Sequence, residues 1–138
     1  MKPLRIDHLG IAVPRLEEAV AAYEALGFRV EARHDVATEK VRTAFLPVGE
    51  SRLELLEPTD PSSVIARFLE KRSGLHHVCV LVDDVDAALA ELRTRGVPLI
   101  DEVPRLGADG CRVAFVHPRG AAGVLLELKE APRGRPGP

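Results

Sequence analysis

The stretch "LHHVCVLVDDVDAAL" (75–89) changes its period halfway along. Its first eight residues are apolar or β-branched apart from the two histidines, which reads as a strand showing alternate side chains on opposite faces. Asp83 or Asp84 can then cap a helix. Val85, Ala88, Leu89 and Leu92 fall at helical spacing until Gly96 stops them. The pattern occurs once before. "RIDHLGIAV" (5–13) reads as a strand, Pro14 marks a helix start, and Leu16, Ala19, Val20, Tyr23 and Leu26 form an apolar face that Gly27 ends.

Laid over each other at an offset of 69, the two stretches need no gap from Ile6/Leu75 to Val30/Leu99. His8 falls on His77, Val13 on Val82, Ala19 on Ala88 and Gly27 on Gly96. Later strands follow: "TAFLPV" (43–48) matches "VAFVHP" (113–118), and "LEL" (53–55) matches "LEL" (126–128). This is an internal duplication. Each half reads strand–helix–strand–strand–strand, over 1–58 and 74–130. Between them, 59–73 holds a short helix carrying Val64, Ile65, Phe68 and Leu69. Residues 1–130 are expected to form a single domain. The last eight, "APRGRPGP" (131–138), read as a flexible tail.

The bulk properties narrow the function. A chain of 138 residues with 46% apolar and 29% charged residues is long enough for one real core. A formal net charge of -2 lacks the basic excess that phosphate binding demands, so no nucleic-acid partner is expected. No apolar run approaches 18 residues, so no membrane span is expected. The N-terminus "MKPLRIDHLG" lacks a secretory h-region, which points to the cytoplasm. There Cys79 and Cys111 read as free thiols, Cys79 buried in its strand. The chain has no Asn, Gln or Trp, and 15 Arg against 4 Lys. Loss of thermolabile amides fits heat adaptation, although a GC-rich genome gives much the same skew.

His8 and His77 hold equivalent places in equivalent strands and point away from the helix-covered face. His76 matches Asp7 and points the other way, a bystander to whatever His77 does. Glu54 and Glu127 are the second matched pair, in "RLELLE" and "VLLELKE". A carboxylate among strand apolars must be paired, metal-bound or protonated, because desolvating it alone is expensive. His8, Glu54, His77 and Glu127 therefore form a candidate metal set, suited to Zn, Co, Ni, Mn or Fe. A lone strand histidine or glutamate is ordinarily structural; recurrence of both in register is what singles these out.

Three further places invite a reading. His34 lies in "EARHDVATEK" and reads as a solvated loop residue. His117, before Pro118, either lines a pocket or serves a strand end. "PRLGADGCRVAFVHP" (104–118) joins a Gly-rich loop to Arg105 and Arg112. Such a loop can offer backbone N–H groups and a cation to a carboxylate or thioester, with Arg105, Leu106 and Gly107 as candidate substrate contacts. A hairpin turn with surface arginines explains the same residues equally well. Cys111 belongs to that loop and has no partner base in sequence, so it reads as structure.

On these residues the chain resembles the vicinal oxygen chelate superfamily. Within it the chain is similar to the methylmalonyl-CoA epimerases, over about residues 5–130. The similarity is carried by "IDHLGIAV", "FLPVGESRLELLEPT", "LHHVCVLVDDVDAAL", "DEVPRLGADG" and "FVHPRGAAGVLLEL". The resemblance implies an α+β fold of two tandem βαβββ modules forming a cup-shaped mixed sheet around one divalent metal (Co, Mn, Ni or Zn). A homodimer is implied as well. Carried over, the metal ligands are His8, Glu54, His77 and Glu127, and Gln fills the position of Glu54 in some relatives. The implied reaction interconverts (2R)- and (2S)-methylmalonyl-CoA, an acyl-CoA thioester, by moving the C2 proton. Glu127 and Glu54 are the candidate acid/base pair. In some relatives a glutamate proposed as base stands where this chain has Thr43, and Glu39 is the nearest substitute. A glyoxalase I-type isomerase is the rival enzyme. An extradiol dioxygenase is disfavoured by the fourth matching acid, and a metal-free drug-binding module by the whole ligand set.

Overall fold

A computed structural model describes residues 1–107 and 109–132 of the chain. Ala108, in the Gly-rich loop, and the tail expected from 131 onward, past Pro132, lie outside the described residues. The chain divides into two compact units: His8–His77, and Met1–Asp7 with the described residues from Val78 on. Strands β1 (Pro3–Ala12) and β5 (Gly74–Val82) each run through both units. The element order β1-α1-β2-β3-β4, then α2, then β5-α3-β6-β7-β8 repeats the duplicated pattern. Mixed parallel and antiparallel strands with few helices place the chain in the α+β class. No helix among the described residues is long and apolar enough to cross a membrane.

In the unit His8–His77 the strand order is β2-β3-β4-β1, with β2 at Ala32–Val36, β3 at Val41–Val48 and β4 at Ser51–Pro58. β1 and β4 are parallel, with α1 (Leu16–Ala25), β2 and β3 between them in the chain; the other pairs are antiparallel. Pro14 lies before the helix, which Arg15 opens without a side-chain cap; Glu17 and Glu18 in the first turn complement the dipole instead. α1 ends at Gly27, whose φ of 104° is left-handed and suits glycine alone. Leu16 and Val20 bury against Ala44, Leu46 and Leu55. The other sheet face holds Ala12, Val41 and Leu56 under Ile65 of α2 (Val64–Leu69), whose start Ser63 caps.

His34 is not a loop residue. It sits half-buried in the middle of β2, with its ring edge against Phe45, centroids 5.6 Å apart. Ala32, His34 and Val36 alternate inward with Arg33 and Asp35 outward. The flanking charges of "EARHDVATEK" hide this short period-2 pattern from sequence reading.

In the other unit the order is β5-β8-β7-β6; β5 and β8 (Leu126–Glu130) are parallel, and α3 (Val85–Thr94) follows β5 in the chain. Asp84 caps α3, accepting a hydrogen bond from the Ala87 N–H at 3.0 Å. Val82, Val85, Leu89, Ala114, Val116 and Leu128 form the core. β7 spans Arg112–Val116, but β6 is only Arg105–Leu106, where the duplicated pattern calls for a full strand. Pro98 and Pro104 bracket the segment, and a proline cannot donate to a ladder. The chain holds its place instead through Ile100 and Asp101 N–H bonds to the Phe115 carbonyl.

Candidate metal centre

His8 on β1, Glu54 on β4 and His77 on β5 come together within the unit His8–His77. Parallel pairing sets Gly10 opposite Glu54 and His8 opposite Arg52, so His8 and Glu54 lie two positions apart along the ladder, the spacing that keeps side chains on one face. The His8 and His77 Nε2 atoms are 3.2 Å apart. Glu54 Oε1 stands 3.3 Å from the first and 3.5 Å from the second. All three side chains are about 6% exposed. The His8 ring also meets Phe45 edge-on, and the Arg52 guanidinium lies 4.2 Å from the Phe45 ring centre.

This triangle fits a divalent ion. Ligand bonds of about 2.0–2.2 Å to His nitrogen or carboxylate oxygen imply ligand–ligand edges of about 3 Å in octahedral and 3.5 Å in tetrahedral geometry. The observed edges fall in that range. Burial by itself would raise the Glu54 pKa, but hydrogen bonds and charge from His77 and His8 more than offset it, holding the carboxyl below its ordinary value. An ionised carboxylate beside two imidazoles is a donor set for Zn, Co, Ni or Mn.

Two features of this centre escaped the sequence. Gly10 makes room for His77: a Cβ there would stand 2.1 Å from His77 Cε1. And His76 is no bystander, because its Nδ1 lies 2.8 Å from the Nδ1 of His77. Strand alternation puts the two Cβ atoms on opposite faces, yet each ring reaches far enough past its Cβ for the nitrogens to meet.

Glu127 lies in the other unit, buried in β8 opposite Cys79 of β5 and Phe115 of β7. Two residues on, Lys129 is also buried and pairs with Asp7 at 3.2 Å and with Asp109. Its inward position follows from the alternation that buries Glu127, the signal that could have revealed it. Burial raises the Asp109 pKa, but the Lys129 ammonium outweighs that and keeps the carboxyl below its ordinary value. The Cys111 thiol is pushed up, first by burial and then by the Asp109 charge, so it stays protonated at neutral pH.

Among the candidate substrate contacts, Arg105 pairs with Asp101 at 3.3 Å and lies over the Phe115 ring, while Leu106 is exposed. Gly107 donates its N–H to the Cys111 carbonyl at 2.8 Å, closing the β6–β7 hairpin. His117 caps the 3-10 turn Pro118–Gly120, its Nδ1 accepting from the Arg119 N–H at 3.0 Å.

The fold and this donor set agree with the family comparison. Residues 7–115 match the Glyoxalase/Bleomycin resistance protein/Dioxygenase superfamily, and the chain belongs to that superfamily. Within it, the chain is similar to methylmalonyl-CoA epimerases. It is 38% identical over 130 residues to the mitochondrial methylmalonyl-CoA epimerase of Homo sapiens, covering 92% of this chain and 74% of the relative. It is 39% identical to the ethylmalonyl-CoA/methylmalonyl-CoA epimerase of Cereibacter sphaeroides, covering 91% and 97%. A solved methylmalonyl-CoA epimerase bound to methylmalonyl-CoA and ammonium superposes with a TM-score of 0.90 at 38% identity, covering 96% and 97%.

Proposed function

We propose that the protein is a metal-dependent epimerase that interconverts (2R)- and (2S)-methylmalonyl-CoA. The observation that carries this is the buried His8–Glu54–His77 triangle in a chain so similar to epimerases throughout its length. Glu127 is proposed as the fourth ligand, on its burial and its equivalence to Glu54 in the duplication. One divalent ion, Co, Mn, Ni or Zn, would be held there, and when bound it supplies Lewis-acid polarisation of the substrate thioester.

The chain's own residues then have to move a proton. C2 of methylmalonyl-CoA lies between a thioester and a carboxylate, so its proton is weakly acidic. Inversion requires removal of the proton from one side of tetrahedral C2 and its return to the opposite face of the planar carbon that results, hence two acid/base groups or one mobile one. Glu54 and Glu127 are proposed for that pair. Ionised Glu54 is ready to accept a proton, held so by its two histidines. Thr43 is a poor alternative, because its fully buried hydroxyl donates to the His34 carbonyl. Glu39 lies on the exposed turn after β2. Arg105 and Leu106 are proposed to meet the acyl-CoA. Gly107 would do so with its carbonyl or Cα, since its N–H is spent on the hairpin.

A cytoplasmic homodimer completes the reading. Leu4 and Ile6, same-face residues of β1 that are each nearly half exposed, support a covered surface. Light scattering would then give about 30 kDa, twice the 15.0 kDa chain. The decisive test incubates (2R)-methylmalonyl-CoA with metal-loaded protein in D₂O, with and without chelator. Deuterium at C2 and formation of the other epimer, both lost with chelator, are expected. Absence of both in loaded protein overturns the proposal.

A further inference from the structure

The duplication gives His8 and His77 the same place, but their surroundings differ. Beside His77 stands a second imidazole, with Nδ1 to Nδ1 at 2.8 Å, ring centres 5.1 Å apart and planes at 89°. One of two facing ring nitrogens must carry the hydrogen. The Nε2 of His77 is the atom turned to His8 and Glu54, and a metal-binding nitrogen presents a lone pair. The hydrogen of His77 then resides on Nδ1, and His76 Nδ1 is the acceptor.

His76 is itself held. Its ring meets Phe68 of α2 edge-on at 4.9 Å, and the Arg72 guanidinium lies 5.0 Å from the Phe68 ring. Phe68 packs on the cluster of Ala12, Val41, Leu56 and Ile65. A continuous line of contacts thus runs from the helix between the duplicated halves, through Phe68 and His76, to the imidazole of His77. The reaction chemistry leaves α2 with no task; this contact gives it one.

We infer that His76 is a positioning residue for the metal centre: it accepts the Nδ1 hydrogen of His77, fixing that ring's tautomer and orientation, and α2 holds it in place through Phe68. The inference rests on His77 being a metal ligand. Removing the partner that orients a ligating histidine typically weakens metal binding by about 10–100-fold.

The test titrates the full chain with Co²⁺ alone, followed by calorimetry and by the cobalt absorption bands. His76→Phe keeps a ring against Phe68 but has no acceptor; it should bind Co²⁺ about 10–100-fold more weakly and shift the bands. His76→Asn places an amide oxygen near the former Nδ1 and should bind within about threefold of the parent, while Phe68→Leu, which loosens the hold on His76 but keeps the acceptor, should fall between the two. Equal losses in His76→Phe and His76→Asn would mean a packing role only and overturn the inference. So would a His76→Phe protein that binds as the parent does. A parent protein that binds no Co²⁺ overturns the metal reading itself, a separate result. ¹⁵N spectra of the Zn²⁺-loaded parent protein need no variant to fold. They should show His77 protonated on Nδ1, with a nitrogen–nitrogen coupling to His76 across the hydrogen bond; protonation on Nε2 instead overturns the inference.

Discussion

Gly10 and His77 occupy one space: the imidazole of His77 lies where a side chain on Gly10 would be, Cε1 only 2.1 Å from the position of a Cβ. The contact involves all three near atoms of the ring, with Nδ1 at 2.4 Å and Nε2 at 2.5 Å from that position. A methyl group there cannot be absorbed by a small shift. The ring is held by neighbours on its other sides, His8 and His76.

Gly10→Ala therefore displaces His77 from the triangle. Overpacking of this kind typically costs about 1–3 kcal/mol. The variant is expected to lose that much stability in urea unfolding and to bind Co²⁺ at least tenfold more weakly. A variant that binds metal as the parent does would mean that His77 is not held where it is seen.

The duplication explains how much was legible beforehand. One strand histidine carries little information, but His8 and His77 in register, with Glu54 and Glu127 in register, carry a good deal. The helix stops at Gly27 and Gly96 were legible for the same reason, since both backbones are left-handed there. What failed was whatever breaks the repeat. β6 shrinks because of prolines that the first half lacks at those places. Lys129 pairs with Asp7 across 122 positions of sequence, a separation that no local pattern reveals. The contact of His76 with His77 is not legible in the sequence, because alternation fixes where a Cβ points and says nothing of where a ring nitrogen ends.

Asp84 offers a test of local stability remote from the metal. Its carboxylate accepts from the Ala87 N–H at the start of α3, with Asp86 also in the first turn. Asp84→Ala should cost about 1 kcal/mol, the usual value of a lost cap. Metal affinity should be unchanged, because the cap serves the helix alone. Urea midpoints with equal slopes would measure the loss.

Asp109 gives a prediction that depends on pH. Its folded carboxyl titrates below the ordinary 3.8, held there by Lys129 against the opposing effect of burial. A depressed carboxyl contributes stability that is present above the unfolded value and lost as pH falls through the folded one. Asp109→Asn should therefore destabilise the protein by about 1–2 kcal/mol at pH 6, a figure kept low because the pair is partly open to solvent. The gap should narrow as pH falls below 3.8, where the parent begins to lose the same contribution. A gap that widens on acidification would show that the pair does not stabilise the fold.

The two glutamates can be separated by what each retains as an amide. Glu54→Gln keeps an oxygen for the metal and loses the group that accepts a proton; Glu127→Gln does the same in β8. If each serves one face of C2, either change should lower epimerisation by about 10²–10⁴-fold while Co²⁺ binding weakens far less. Deuterium wash-in then distinguishes them. Each variant should still exchange the C2 proton of one epimer without inverting it, and the two should differ in which epimer exchanges. Loss of exchange from both epimers in one variant alone would assign the whole proton transfer to that residue.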